Sequence, residues 1–246
     1  MEPVSELRQR EVKTYFDVIA QGGSERLLSA RSFHNLGEWD HADYEALIEI
    51  LDSAEAKSSF SFLGREAEQC AQTIEMLAEN GHEIVLHGYR HIGCADIPYE
   101  TAYENISRGL VAIEDAADVR PQGFIAPRQT VNEATLHVLE ELDFSWILGN
   151  TEADIPASLT FREPAYPYDL LLLNRGATPS ETFDQLTEQS EEGVAHLLHP
   201  NMLEYYSGLS EFTTWLQTHN PVTIASMIDE GGIGIICDAM RPLKIE

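Results

Sequence analysis

Two histidines four residues apart, His87 and His91, stand in the run Leu86-His87-Gly88-Tyr89-Arg90-His91, directly after a predicted strand. Imidazoles at i and i+4 converge on one metal ion when the chain between them turns helically. Leu197-Leu198-His199-Pro200 closes a second predicted strand, and Ser32-Phe33-His34-Asn35 closes a third. Imidazole suits these places on two counts: its neutral form is a metal ligand, and its ordinary pKa of about 6.5 allows proton transfer near neutral pH. A lone HxxxH is nevertheless common on protein surfaces, and a histidine at a strand end often does no more than bond a backbone carbonyl. What raises the three sets above that background is the position they share, where predicted strands give way to loops.

The elements that must bring them together follow from periodicity. Helical spacing and short apolar runs alternate through most of the 246 residues, the pattern of an α/β fold with parallel strands. Strands are expected at Arg26 to Phe33, Ser58 to Leu63, Glu83 to Leu86, Gly123 to Ala126, Phe144 to Leu148, Leu170 to Leu173, Val194 to Leu198 and Ile233 to Cys237. Helices are expected at His41 to Ala56, Arg65 to Asn80, Tyr99 to Ala116, Asn132 to Leu142 and Glu211 to Thr218. Asn80-Gly81 reads as a helix stop. The proline-bearing stretch Thr151 to Pro167 reads as a long surface loop. Residues 1–24 form an expected helical extension and residues 25–246 one barrel-like domain, with about seven β/α steps and no repeat of fixed period. In such barrels the working groups sit at the carboxyl ends of the strands, where all three sets fall.

Composition limits the partners. Asp and Glu number 42 against 15 Lys and Arg, a formal net charge of −27, and the only lysines are Lys13, Lys57 and Lys244. Acids occur in nearly every block of ten residues, so the charge belongs to the whole surface. Phosphate-rich partners would be repelled, which argues against nucleic acid and anionic membranes. The balance is that of a cytoplasmic protein from a salt-accumulating, haloarchaeal type of cell, where high ionic strength screens self-repulsion. Three cysteines without CxxC spacing form neither a disulfide framework nor a cysteine zinc site. Met1 to Lys13 contains no apolar signal core and no run is long enough for a membrane helix, so a cytoplasmic location is expected.

The run Gly81-His82-Glu83-Ile84-Val85-Leu86-His87-Gly88-Tyr89-Arg90-His91 resembles the second motif of the polysaccharide deacetylase (NodB-homology) family. Phe60 to Gly64 is similar to an apolar stretch that the family carries one helix earlier. Gly123-Phe124-Ile125-Ala126-Pro127 is similar to its third motif and Leu197-Leu198-His199 to its last. The resemblance runs from about Arg26 to Met240. It implies a distorted (β/α) barrel, NodB-like, and hydrolysis of an amide C–N bond, above all N-deacetylation of an acetylated sugar. It also implies a divalent metal, Zn²⁺ among the candidates, held by His87 and His91, with His199 as the acid that protonates the leaving amine. Pro127, Arg128 and Tyr89 are the residues it suggests for substrate binding, on a small-molecule or oligosaccharide substrate.

Two departures from the family pattern bear on mechanism. The family's first motif supplies two aspartates, a base and a metal ligand, where this chain has Ser32-Phe33-His34-Asn35. Asn35 offers the metal only a neutral oxygen, and His34 becomes the candidate base. The arginine that orients the family's base is replaced by Ile125, with Arg128 three residues on. An altered hydrolase is the leading expectation. The alternatives are a catalytically silent barrel that binds carbohydrate or a partner, and a metal-independent hydrolase of cyclic amides or ureides, similar to allantoinase-like members.

Overall fold

The computed structural model describes residues 41–238. The expected extension at 1–24, the strand at 26–33 and both His34 and Asn35 lie outside them.

The chain opens with α1 (His41–Ser53) and β1 (Ser59–Phe62), then a 3₁₀ turn, α2 (Ala67–Glu79) and β2 (Glu83–Leu86). There follow α3 (Tyr99–Ala117), β3 (Gly123–Thr130), α4 (Glu133–Glu141), β4 (Trp146–Asn150) and β5 (Thr160–Arg162). After these come α5 (Asp169–Asn174), α6 (Pro179–Glu188), β6 (Ala195–Leu198), α7 (Pro200–Tyr205), α8 (Leu209–His219), α9 (Ile224–Glu230) and β7 (Gly234–Cys237).

Among the described residues the strands form one seven-stranded sheet in the order β5-β4-β3-β2-β1-β7-β6, with every pairing parallel. The sheet curls until its edges nearly meet. Pro164, just past β5, bridges Ala195 of β6, and the Ala165 N–H donates to the Ala195 carbonyl at 2.8 Å. The result is the expected distorted barrel of seven parallel strands.

Two apolar clusters follow from strand alternation. Val85, Ile125, Trp146, Leu148, Ala195, Leu197 and Ile236 point inward and meet Ile224 and Met227 of α9. Their sequence neighbours, among them Leu86, Phe124, Ile147, Leu198, Ile235 and Cys237, point outward into the core beneath the helices. Gly123 is required at the base of β3, because a Cβ there would stand 2.1 Å from the Trp146 indole.

Three expectations change. Leu170 to Leu173 is not a strand but the body of α5, since periodicity cannot separate a strand from a buried helix over four apolar residues. The stretch from Thr151 to Pro167 is not loop throughout, because it contributes β5 and the closing bridge. Helix α6 is an addition, opened by Thr178, which accepts from the Glu181 N–H while Glu181 accepts from the Thr178 N–H. That reciprocal cap has a sequence signature, Thr-x-x-Glu with proline at the first helical position.

Candidate active site

His87 leaves the carboxyl end of β2 two residues past the inward Val85, so alternation directs it into the barrel mouth. Gly88 turns the chain there with φ of +84°, and a Cβ on it would meet the Asn105 amide at 2.6 Å. Asn105, buried in α3, accepts from the Arg90 N–H at 2.8 Å and donates to the Arg90 carbonyl at 3.1 Å. The outer helix thereby fixes the path of the loop that carries both histidines.

The two imidazoles meet, with ring centroids 4.9 Å apart. His87 Nδ1 lies 2.8 Å from the Ile125 carbonyl and donates to it. This selects the tautomer whose Nε2 carries the lone pair, the arrangement usual for a metal-binding imidazole. Burial and the neighbouring His91 push the His87 pKa down to about 4, against the opposing charge of Asp238, so the ring is neutral near pH 7.

His199 ends β6, two residues past the inward Leu197, and is 4% exposed. Its Nδ1 donates to Asp169 Oδ1 at 2.8 Å and its backbone N–H to Asp169 Oδ2 at 2.6 Å. Asp169 is fully buried at the start of α5, where it also accepts from the Leu170 N–H at 2.6 Å. Burial lowers the His199 pKa, but the Asp169 charge and hydrogen bond, with Asp238, outweigh it and leave the pKa raised. Tyr168 packs against His199 with ring centroids 5.7 Å apart, and burial, assisted by Asp169, pushes its phenol up to about 12.

Reading the sequence alone missed Asp169. An acid just ahead of an apolar run is a helix-start signal, but once Leu170 to Leu173 is taken as a strand that signal disappears, and its pairing with His199, 30 residues on, is tertiary.

The remaining candidates are distributed as follows. Pro127 is buried on β3, beyond Ile125. Arg128 and Gln129 follow with φ of +61° and +60°, where the β3–β4 register shifts. Two successive left-handed non-glycine residues are strained by an amount on the order of 1–3 kcal/mol each, a cost that clusters at functional sites. The Arg128 stem lies beside Gly93, in the loop after His91, since a Cβ on Gly93 would stand 3.0 Å from Arg128 Cδ. Tyr89 is tied to the outer helix instead: the Arg108 guanidinium sits 3.9 Å over its ring and donates to its hydroxyl at 2.9 Å.

Other buried titratable groups are packing residues. His196 points outward against Trp215 with centroids 5.4 Å apart, and burial pushes it down to about 4. Cys94 is buried, its thiol pushed up to about 12, which leaves it an inert packing group.

A divalent ion fits this donor set in part. His87 and His91 would hold it, with Nδ1 of His87 already satisfied by Ile125. Among the described residues no three His, Cys, Asp or Glu side chains form a metal-binding group. No described helix is long and apolar enough to cross a membrane.

Residues 35–147, somewhat under half of the chain, match the family model described as polysaccharide deacetylase. A peptidoglycan deacetylase-like protein of Gibberella zeae is 25% identical over 134 residues, 54% of this chain and 39% of that protein. The chain thus spans less than half the length of the curated relatives it matches. In fold it is similar to a family 4 carbohydrate esterase from Streptomyces lividans solved in complex with acetate, with TM-score 0.59, 15% identity and coverage of 81% of this chain and 93% of that one. It is also similar to a CE4 family pseudoenzyme from Bacillus anthracis, with TM-score 0.52, 14% identity and coverage of 82% and 63%.

Proposed function

With a polysaccharide deacetylase family domain in the chain, we propose that the protein hydrolyses an amide C–N bond, removing the acetyl group from an N-acetylated sugar through an altered site. The observation that carries this reading is the buried His199–Asp169 pair, set in the same barrel mouth as the His87–His91 pair. A protonated imidazole oriented by a carboxylate donates its second N–H to a leaving nitrogen, and the raised pKa of His199 favours that protonated form. Asp169 holds the ring by Nδ1 and leaves Nε2 for the substrate. The apolar inner layer of Val85, Ile125, Leu197 and Ile236 lies beneath it.

A divalent ion on His87 and His91 would polarise the amide carbonyl and acidify a water molecule. Arg128, whose stem lies beside Gly93 in the loop after His91, would shape the sugar site together with Pro127 before it in the chain. Asn35 as a neutral oxygen donor and His34 as a base belong to this proposal as sequence expectations.

The test is turnover of N-acetylglucosamine oligomers with Zn²⁺ or Co²⁺ added, together with metal analysis of the purified protein. Turnover lost in His199→Ala, and metal lost in His87→Ala, are the expected results. Neither bound metal nor turnover in the unaltered protein would remove the reading.

A second reading, a silent barrel that binds carbohydrate, is favoured by the replacement of the family's two aspartates by His34 and Asn35 and of its arginine by Ile125. Glycan binding without turnover, unaffected by chelator and by His87→Ala, would select it. The formal net charge of −27 supports adaptation to salt, for which melting temperatures rising from low to molar KCl are expected; a flat response would exclude it.

A further inference from the structure

One carboxylate at the barrel mouth, Asp238, belongs to neither the His87–His91 pair nor the His199–Asp169 pair. In β7, Ile236 lies in the inner apolar cluster and Ile235 and Cys237 in the outer one. Alternation turns Asp238, two residues past Ile236, to the inner face. The same count places His87 above Val85 and His199 above Leu197, so the three side chains form the layer directly over the apolar floor.

Asp238 continues the β6–β7 ladder, since its N–H donates to the Leu198 carbonyl at 2.9 Å. Because Leu198 pairs with Cys237, His199 and Asp238 leave neighbouring strands side by side, about 5 Å apart at the backbone. The side chain is half-buried. Asp238 lies near enough to both His87 and His199 for its charge to act on each.

We propose that Asp238 is the general base of this site, supplying from β7 a carboxylate that the segment at His34 and Asn35 does not. The inference rests on the deacetylase reading above. The water oxygen bonds to the acetyl carbon as one of its protons passes to the Asp238 carboxylate and the carbonyl π pair moves onto the carbonyl oxygen. That pair then re-forms the C=O bond as the C–N bond breaks with its electron pair on nitrogen, which takes the proton held by His199. The free amine leaves, the acetic acid gives its remaining hydroxyl proton to solvent and leaves as acetate, Asp238 releases its proton to solvent, and His199 takes one back from solvent. A donor and an acceptor on adjacent strands flank one amide, which is what attack on carbon and departure of nitrogen from the same centre require.

The full chain, with Zn²⁺ or Co²⁺, is assayed on N-acetylglucosamine oligomers as the unaltered protein and as Asp238→Asn, Asp238→Ala, His34→Ala and the exposed control Asp184→Asn. Circular dichroism and melting confirm that each variant is folded. The expected result is a loss in kcat of about 100-fold or more in Asp238→Asn with KM changed less than about threefold, partial restoration of Asp238→Ala by added formate, and full activity in the control. Asp238→Asn within about threefold of an active unaltered protein overturns the proposal and leaves the deacetylase reading intact. So does a folded, inactive Asp238→Ala that formate does not restore. Collapse of kcat in His34→Ala with Asp238→Asn unaffected assigns the base to His34 instead. No turnover by the unaltered protein overturns the deacetylase reading and this proposal with it.

Discussion

The two ends of the barrel interior each remove a carboxylate from water and use it differently. At the amino end Glu83, the first residue of β2, accepts from Ser59 Oγ at 2.5 Å, Trp146 Nε1 at 2.9 Å and the Ala225 N–H at 3.2 Å. The Ser59 hydroxyl in turn accepts from the Ile224 N–H at 2.9 Å, which anchors the start of α9 as a plug across the barrel base. At the carboxyl end Asp169 accepts from two backbone N–H groups and from His199. Around Glu83 the side-chain and backbone partners are neutral and have no proton to pass on. Asp169 has an ionisable partner, His199, whose second ring nitrogen it leaves unengaged. A buried carboxylate is structural when its hydrogen bonds close on themselves, and it belongs to chemistry when one partner transmits its charge outward.

The sharpest way to break that contrast is to neutralise each carboxylate in turn. Asp169→Asn is expected to lower kcat on N-acetylated oligomers by about 10²–10⁴-fold, since the imidazole loses both its orientation and the charge that raises its pKa. Glu83→Gln should leave kcat within about twofold. Equal losses in the two variants would show that the ends do not differ in this way.

The next largest effect is on stability and runs the other way. Glu83→Ala leaves the Trp146 indole N–H and the α9 backbone without their acceptor and should cost about 2–4 kcal/mol in urea unfolding at pH 7. Burial raises the Glu83 pKa in spite of its donors. Its stabilising contribution is therefore present below the unfolded carboxyl pKa and lost as pH rises through the folded value, and Glu83→Gln should remove that portion of the pH dependence.

The smallest signals come from the histidines and have opposite signs. His199, with its folded pKa raised, stabilises most below about pH 6.5 and less as pH rises through the folded value. His199→Gln should flatten the fall in melting temperature on the alkaline side. His82, whose Nδ1 accepts from the Ser58 N–H at 3.2 Å, is pushed down to about 4 by burial, and so is His196. Both contribute stability above about pH 6.5 that is lost as pH falls toward 4. Melting curves from pH 4 to 6.5 should be shallower for His82→Gln than for the unaltered protein.

How much of this was readable from the chain differs by element. Glu83 to Leu86 is β2 as expected, because a β-branched apolar run between a glycine stop and a polar loop has few alternatives. Tyr99 to Ala117 is α3, one residue longer than its periodicity indicated. Leu170 to Leu173 could not be assigned by pattern, and with it went Asp169. Thr178 to Glu181 did carry a helix-start signature. Asn105 lies in an Asn-Ile-Ser sequon, yet its amide is committed to the Arg90 backbone, a role no local pattern displays.

The sequence by itself determined the alternation of strands and helices, the rim position of His87, His91 and His199, and the acid-rich surface, because these depend on periodicity, spacing and count. Only the tertiary structure decided which acids face those histidines. Asp169 reaches His199 across 30 residues, and Asp238 reaches the same mouth through strand parity on β7. The physical reason is that a pKa and a proton path depend on distances between side chains on different strands, and closure of the barrel, not the order of residues, sets those distances.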